Sequence, residues 1–163
     1  MPDRHCQLLR KDLDDLLDIP HWPAGIRVGV LRAELMEPVH ALLKRGYRGG
    51  GGSVEEFSEW CQRFTSDAEF DTSLCLVALD EQGVAGVALC WTSAYIKDLV
   101  VHPRRRAQGL GQALLQQAFK VFASRGEAFV DLKVMENNST ARRLYERAGM
   151  RFIERYEVSP AQA

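Results

Sequence analysis

The sequence predicts a single α/β domain, with a mixed sheet in one layer and helices packed against it. Three observations carry that prediction. Apolar runs of strand length alternate with segments of helical periodicity along most of the chain. A strand, a basic glycine-rich turn and an amphipathic helix follow one another at Val101-His-Pro-Arg-Arg-Arg-Ala-Gln-Gly-Leu-Gly-Gln112. The chain has 163 residues, 46% of them hydrophobic and 26% charged, which suits one domain with a real core.

Taken in order, Leu8, Leu9, Leu13, Leu16 and Leu17 suggest a short amphipathic helix ending before Pro20. Residues 1–24 are therefore expected to form an N-terminal extension or helix packed on a domain at 25–163. Asp12, Asp14, Asp15 and Asp18 would form its wet face, with a secondary chance to attract an amine. Ile26 to Leu31 reads as a first strand, followed by a helix ending near Arg45-Gly46. Pro38 fits only in the first turn of that helix or at a kink. Gly49 to Gly52 is too flexible to be a core element. Ser53 and Glu56 match a capping box and predict a second helix from there, with Val54, Phe57, Trp60, Cys61 and Phe64 as its apolar stripe.

Residues 74–79 and 84–91 are apolar runs separated by Asp80-Glu-Gln-Gly83, a hairpin signal. Tyr95 to Val101 is the next strand. Leu110, Leu114, Ala118, Val121 and Phe122 define a helix that Gly126 ends. Ala128 to Val134 is a strand, Thr140 to Ala148 a helix ended by Gly149, and Met150 to Val158 a last strand.

The bulk properties exclude several classes. No apolar run approaches the roughly 18 residues of a membrane span. The first residues, Met1-Pro-Asp-Arg-His-Cys6, lack the pattern of a secretion signal, so a cytoplasmic location is expected. A net charge of −1 argues against a general nucleic-acid binder, and Arg104-Arg105-Arg106 is a local run. The four cysteines, Cys6, Cys61, Cys75 and Cys90, form no C-x-x-C pair and read as buried free thiols. The four histidines have no metal-ligand spacing, so no metal is expected.

The turn at 104–112 precedes a helix, and such a turn can hold a phosphate through backbone N–H groups. It is not a mononucleotide P-loop, since Gln112-Ala113 follows the glycines where Lys-Ser or Lys-Thr is required. It is not a dinucleotide fingerprint, since Leu114 stands where the third glycine belongs. A second signature follows one strand later: Val134-Met-Glu-Asn-Asn-Ser-Thr-Ala-Arg-Arg-Leu-Tyr-Glu-Arg-Ala-Gly-Met150.

Arg106-Ala-Gln-Gly-Leu-Gly111 resembles the central acyl-CoA motif of the GCN5-related N-acetyltransferase (GNAT) superfamily. Asn138, Ala141, Leu144-Tyr145 and Gly149 resemble its next motif, and the likeness in element order runs from about residue 25 to 157. The resemblance implies a central sheet whose strands 95–101 and 128–134 splay apart to admit acetyl-CoA. It implies that backbone groups of Arg106, Ala107, Gln108, Gly109, Leu110, Gly111 and Gln112 hold the CoA pyrophosphate. Arg104 or Arg105 would add charge at the 3′-phosphate or simply be solvated. Main-chain groups of Leu99 and Val101 would meet the pantetheine arm, and Asn138 would contact the carrier or cap the following helix. Tyr145 would protonate the departing thiolate, its alternative being a core aromatic.

The strand before the turn departs from the family pattern. Lys97 stands where several relatives carry a glutamate base, and a lysine is charged at neutral pH. By strand alternation Asp98 should face away from Lys97, as a structural acid, while Tyr95 shares the face of Lys97. The base therefore stays open. Trp91 and Tyr95 are candidates for an acceptor pocket or for core packing. The expected function is an acetyl-CoA-dependent N-acetyltransferase acting on a primary amine, with a homodimer as the expected assembly. The alternative, motivated by Lys97, is a catalytically weak acyl-CoA-binding regulatory module.

Overall fold

The computed structural model describes residues 5–14, 16–48 and 53–158. The elements in chain order are β1 (His5–Asp12), β2 (Arg27–Val30), α1 (Met36–Gly46), α2 (Phe57–Ser66), β3 (Cys75–Asp80), β4 (Gly83–Trp91), β5 (Tyr95–Val101), α3 (Leu110–Ser124), β6 (Phe129–Met135), α4 (Ser139–Arg147) and β7 (Arg151–Glu157). They form one seven-stranded sheet in the order β2-β3-β4-β5-β6-β1-β7. Neighbours are antiparallel except β5 and β6, which are parallel.

Two apolar cores cover the two faces. On one, α3 lays Leu110, Leu114, Leu115, Ala118, Phe119 and Phe122 against Ala85, Ala88, Ile96 and Leu132. These positions recur at three and four residues, so they share one helix stripe. Burying each phenylalanine contributes about 2 kcal/mol. On the other face, α1 and α2 lay Val39, Leu42, Leu43, Trp60 and Phe64 against Val77, Val84, Val87 and Leu89. Pro38 sits in the first turn of α1, where its missing N–H costs nothing. The Asp80–Gly83 hairpin closes in the expected place, with those two residues opposed.

Two expectations are overturned. The leucines of the N-terminal segment do not lie on a helix: residues 5–12 are a strand inside the sheet, paired to β6 on one side and β7 on the other. Leucines at 8, 9 and 13 fit a helical stripe as well as a strand, but β6 and β7 do not pair with each other, and β1 satisfies the backbone groups of both. Leu16, needed by the helical stripe, is 99% exposed. Asp12 lies in β1 bonded to Arg151 rather than on a helix face, and Asp15 lies outside the described residues. The capping box also fails. The second helix begins at Phe57 after Glu56, without a side-chain cap, so Ser53 is no cap. Gly49 to Gly52 lie outside the described residues.

Candidate functional site

The sheet splits between β5 and β6. Their pairing is limited to Tyr95 opposite Asp131, with the Asp131 N–H donating to the Ala94 carbonyl at 3.0 Å. Beyond that point the strands diverge, so Lys97–Val101 and Lys133–Met135 face each other across a gap. A parallel pair that stops after one rung leaves strand N–H and C=O groups available to an inserted chain. The gap opens into a cleft of about 820 Å³.

The turn lies at the mouth of that cleft. Ala107 has φ 60° and Gly109 φ 85°, two left-handed residues within three positions. Such alternation makes successive N–H groups converge on an anion. A Cβ at 107 carries a strain that glycine at 109 avoids. The first N–H groups of α3 have no partner inside the helix, and no side chain caps them. They add the positive end of the helix dipole to the same spot. A Cβ on Gly111 would lie 3.3 Å from Leu144 Cδ2, so glycine lets α3 start close against α4.

Leu99, Val101, Arg106, Ala107, Gly109, Leu110, Gly111, Gln112, Asn138 and Tyr145 all line the cleft. Gln108 does not. Its side-chain oxygen instead accepts from Arg105 at 3.2 Å. Arg105 lines the cleft and Arg104 does not, and neither is a free cation. Both are tied to the carboxylate of Asp80, Arg104 through two bonds of 2.9 and 3.0 Å and Arg105 through one of 3.0 Å.

Asn138 caps α4, its Oδ1 accepting from the Ala141 N–H at 3.2 Å, while it also lines the cleft. The other end of α4 closes on Gly149 in the left-handed region, with Gly149 N–H donating to the Glu146 carbonyl and Met150 N–H to that of Tyr145, both at 3.0 Å. Tyr145 is thus fixed by its own backbone. Burial pushes its phenol up to about 12, so it stays a proton donor. Its hydroxyl makes no hydrogen bond among the described residues and is free to meet a ligand.

The other side of β5 holds what the sequence did not reveal. The β4–β5 register shifts between Leu89, opposite Asp98, and Cys90, opposite Ile96. Lys97 is the extra residue of this β-bulge. The bulge breaks the alternation and turns Lys97 and Asp98 to the same face. Lys97 Nζ donates to Asp98 Oδ2 at 2.8 Å, and Asp98 Oδ1 accepts from the Tyr47 hydroxyl at 2.6 Å. The expectation that Asp98 faces away from Lys97 is therefore wrong. Asp98 is 6% exposed. Burial and the Asp98 carboxylate push the Tyr47 phenol far above its usual range.

These three residues, with Leu43, Val54 and Trp60, line a smaller pocket of about 220 Å³. Tyr47 and Lys97 line both cavities, so they mark where the two meet. Trp91 and Tyr95 do not line the pocket. Trp91 packs on Phe64 at 5.4 Å between ring centroids, and the Tyr95 phenol is half-buried beside β6. Among the described residues no group of three or more His, Cys, Asp or Glu could hold a metal ion, and no helix is long and apolar enough to cross a membrane. Cys61, Cys75 and Cys90 are free thiols.

The sequence pattern of the acetyltransferase (GNAT) family matches residues 36–150. The chain belongs to that family. The GNAT match runs from the start of α1 to the end of α4, so it takes in the cleft and the pocket. A mycothiol acetyltransferase from Clavibacter sepedonicus is 39% identical over 90 residues, covering 53% of this chain and 30% of the relative. One from Beutenbergia cavernae is 36% identical over 86 residues, covering 49% and 29%. A GCN5-related N-acetyltransferase from Sphaerobacter thermophilus superposes with a TM-score of 0.81 at 29% identity, over 96% of this chain and 51% of that one. The chain thus spans less than a third of these curated relatives and about half of that solved structure.

Proposed function

We propose that this chain is an acetyl-CoA-dependent N-acetyltransferase that acylates a primary amine by direct attack. The observation that carries the reading is the gap between β5 and β6, floored by an uncapped helix N-terminus. A linear arm ending in a pyrophosphate fits that shape. Backbone N–H groups from Arg106 to Gln112 hold the pyrophosphate, and main-chain groups of Leu99 and Val101 pair with the pantetheine arm. Asn138 contacts the carrier near the thiol. In this reading Gln108 contributes its backbone only.

The acceptor enters from the pocket on the other side. Asp98 receives a proton from the acceptor amine, with Tyr47 orienting the carboxylate and Lys97 balancing its charge. The free amine attacks the thioester carbon, a C–N bond forms, the C–S bond breaks, Tyr145 gives its proton to the sulfur, and the excess proton on the new amide nitrogen returns through water to the Tyr145 oxygen. Attack needs an unprotonated nitrogen, so the rate rises with pH through the acceptor's ionisation. With Asp98 beside Lys97, the missing glutamate no longer favours the inactive-module reading. The acceptor itself stays a primary amine of open type, since relatives and structural neighbours carry names as different as mycothiol, glucosamine and ribosomal-protein-S18-alanine acetyltransferase.

We place the enzyme in the cytoplasm as a homodimer. The open edge strand β7, with Phe152 55% exposed, supports a two-fold contact there. Calorimetric titration with acetyl-CoA, followed by a mass-spectrometric screen over an amine panel, tests the activity. A folded protein that binds no acetyl-CoA contradicts it.

A further inference from the structure

We infer that Asp80, an acidic residue outside the cleft, is a positioning residue for the anion-binding turn and strengthens binding of the carrier's pyrophosphate. The inference rests on the reading that residues 106–112 hold that group. Asp80 is at the tip of the β3–β4 hairpin and is 5% exposed. Its carboxylate gathers four donors: Arg104 Nε at 3.0 Å and Arg104 Nη2 at 2.9 Å, Arg105 Nε at 3.0 Å, and the Gln82 N–H at 2.9 Å. The bonds from Arg104, then the one from Arg105, hold the carboxyl well below the usual carboxylate range, so it is charged at any working pH.

The same two arginines carry the load onward. Arg104 Nη2 also donates to the Val84 carbonyl at 3.0 Å, fastening the residue to β4. Arg105 Nη1 donates to the Ala24 carbonyl at 2.9 Å and to the Gln108 side-chain oxygen at 3.2 Å. Asp80 therefore links three segments: the hairpin tip, the 23–26 stretch before β2, and both ends of the Arg104–Gln108 turn. His102 fixes the entry to the turn, its Nδ1 accepting from the Arg104 N–H at 3.1 Å. These bonds tie the turn to β4 through Arg104, outside the cleft, and to the 23–26 stretch through Arg105, which itself lines the cleft. A turn with a left-handed alanine at 107 needs such bracing, because its backbone geometry costs energy that surrounding contacts must offset.

Two effects of Asp80 on an anion compete. Its charge repels a pyrophosphate at long range, but two guanidinium groups neutralise that charge on the spot, and solvent screens the remainder. Its bonds fix the N–H groups in the one arrangement that converges on a phosphate, and preorganisation of that kind raises affinity. The signs are opposite, so one substitution decides. Asp80→Asn keeps the shape and removes the charge. The experiment measures kcat/KM for acetyl-CoA and for acetylpantetheine, which has the arm and thioester but no pyrophosphate.

The expected result is a loss of about tenfold for acetyl-CoA, with acetylpantetheine within about twofold of wild type. Unchanged or tighter use of acetyl-CoA overturns the inference, and so does an equal loss with both donors. If Asp80→Asn yields too little folded protein, Arg104→Gln is measured instead. Arg104 does not line the cleft, and its loss removes two of the four bonds, so the same split between donors is expected at smaller size. A wild-type enzyme that shows no preference for acetyl-CoA over acetylpantetheine breaks the underlying reading of the turn instead. A preference that Asp80→Asn leaves at its wild-type size breaks only the role of Asp80.

Discussion

The two sides of β5 are built on opposite principles. On the side proposed to hold the carrier the groups on offer are backbone: unpaired strand edges, a turn with two left-handed residues and an uncapped helix start. On the side proposed for the acceptor they are side chains: a buried carboxylate held between a phenol and an ammonium, over aromatic rings. The first surface should tolerate changes of side chain but not of backbone shape. The second should tolerate little change in charge and should be the less general of the two, because its members come from β5, from the residue after α1 and from α2. The comparison can be broken by a substitution that keeps the backbone and adds neither bulk nor charge at the turn yet destroys carrier binding, or by a charge change at Asp98 that leaves turnover intact.

The largest effect is expected at Asp98. Asp98→Asn keeps an acceptor for the Tyr47 hydroxyl but sets an amide N–H₂ against Lys97, costing on the order of 1–3 kcal/mol of stability. As the acceptor's base is lost, kcat should fall about a hundredfold or more at pH 7, with partial recovery at high pH, where free amine is plentiful. A pH–rate profile of the folded variant checks this, and wild-type kcat would return the base assignment to an open question.

Gly111→Asp comes next, on the other side. Its Cβ would press on Leu144 and its carboxylate would face the pyrophosphate, so acetyl-CoA affinity should fall at least tenfold, about 1.4 kcal/mol. Gly109→Asp has open space around it but must hold φ at 85°, so it adds backbone strain to the same repulsion. Equal affinity in both folded variants, measured by calorimetry, would remove the turn from the site.

A smaller effect is expected from Tyr145→Phe. The ring stays and one free hydroxyl goes, so kcat should fall about tenfold with acetyl-CoA affinity and stability nearly unchanged. Because burial raises the phenol to about 12, the donor form is intact through pH 10. An unperturbed phenol would already be half ionised at about that pH. Wild-type kcat should therefore show no alkaline fall between pH 8 and 10 from this group. A descending limb in that range that Tyr145→Phe abolishes would contradict the value. The smallest effect belongs to Lys97→Met. It leaves Asp98 with its Tyr47 bond, so kcat should fall less than about tenfold, and a loss equal to that of Asp98→Asn would make the ammonium the essential group.

What could be read in the sequence follows the same division. The turn at 104–112, the helix behind it and the Asn138–Gly149 segment are contiguous, so spacing alone exposes them. Tyr47, Trp60 and Asp98 share no motif, and a strand bulge brings Asp98 round to Tyr47. A one-residue bulge leaves no mark in composition, which is why Asp98 read as facing away. The same holds for β1. Its leucines fit two periodicities, and only the unpaired flanks of β6 and β7 decide between them. Arg104 and Arg105 looked free because Asp80, their partner, is more than twenty residues away in a hairpin turn.

The most direct test of the two-sided account is acetyl-CoA affinity measured by calorimetry on folded Asp98→Asn. The account predicts a dissociation constant within about twofold of wild type beside a turnover that has all but vanished. A variant that loses acetyl-CoA binding together with turnover would mean that the carboxylate serves the carrier cleft, and the division across β5 would fall.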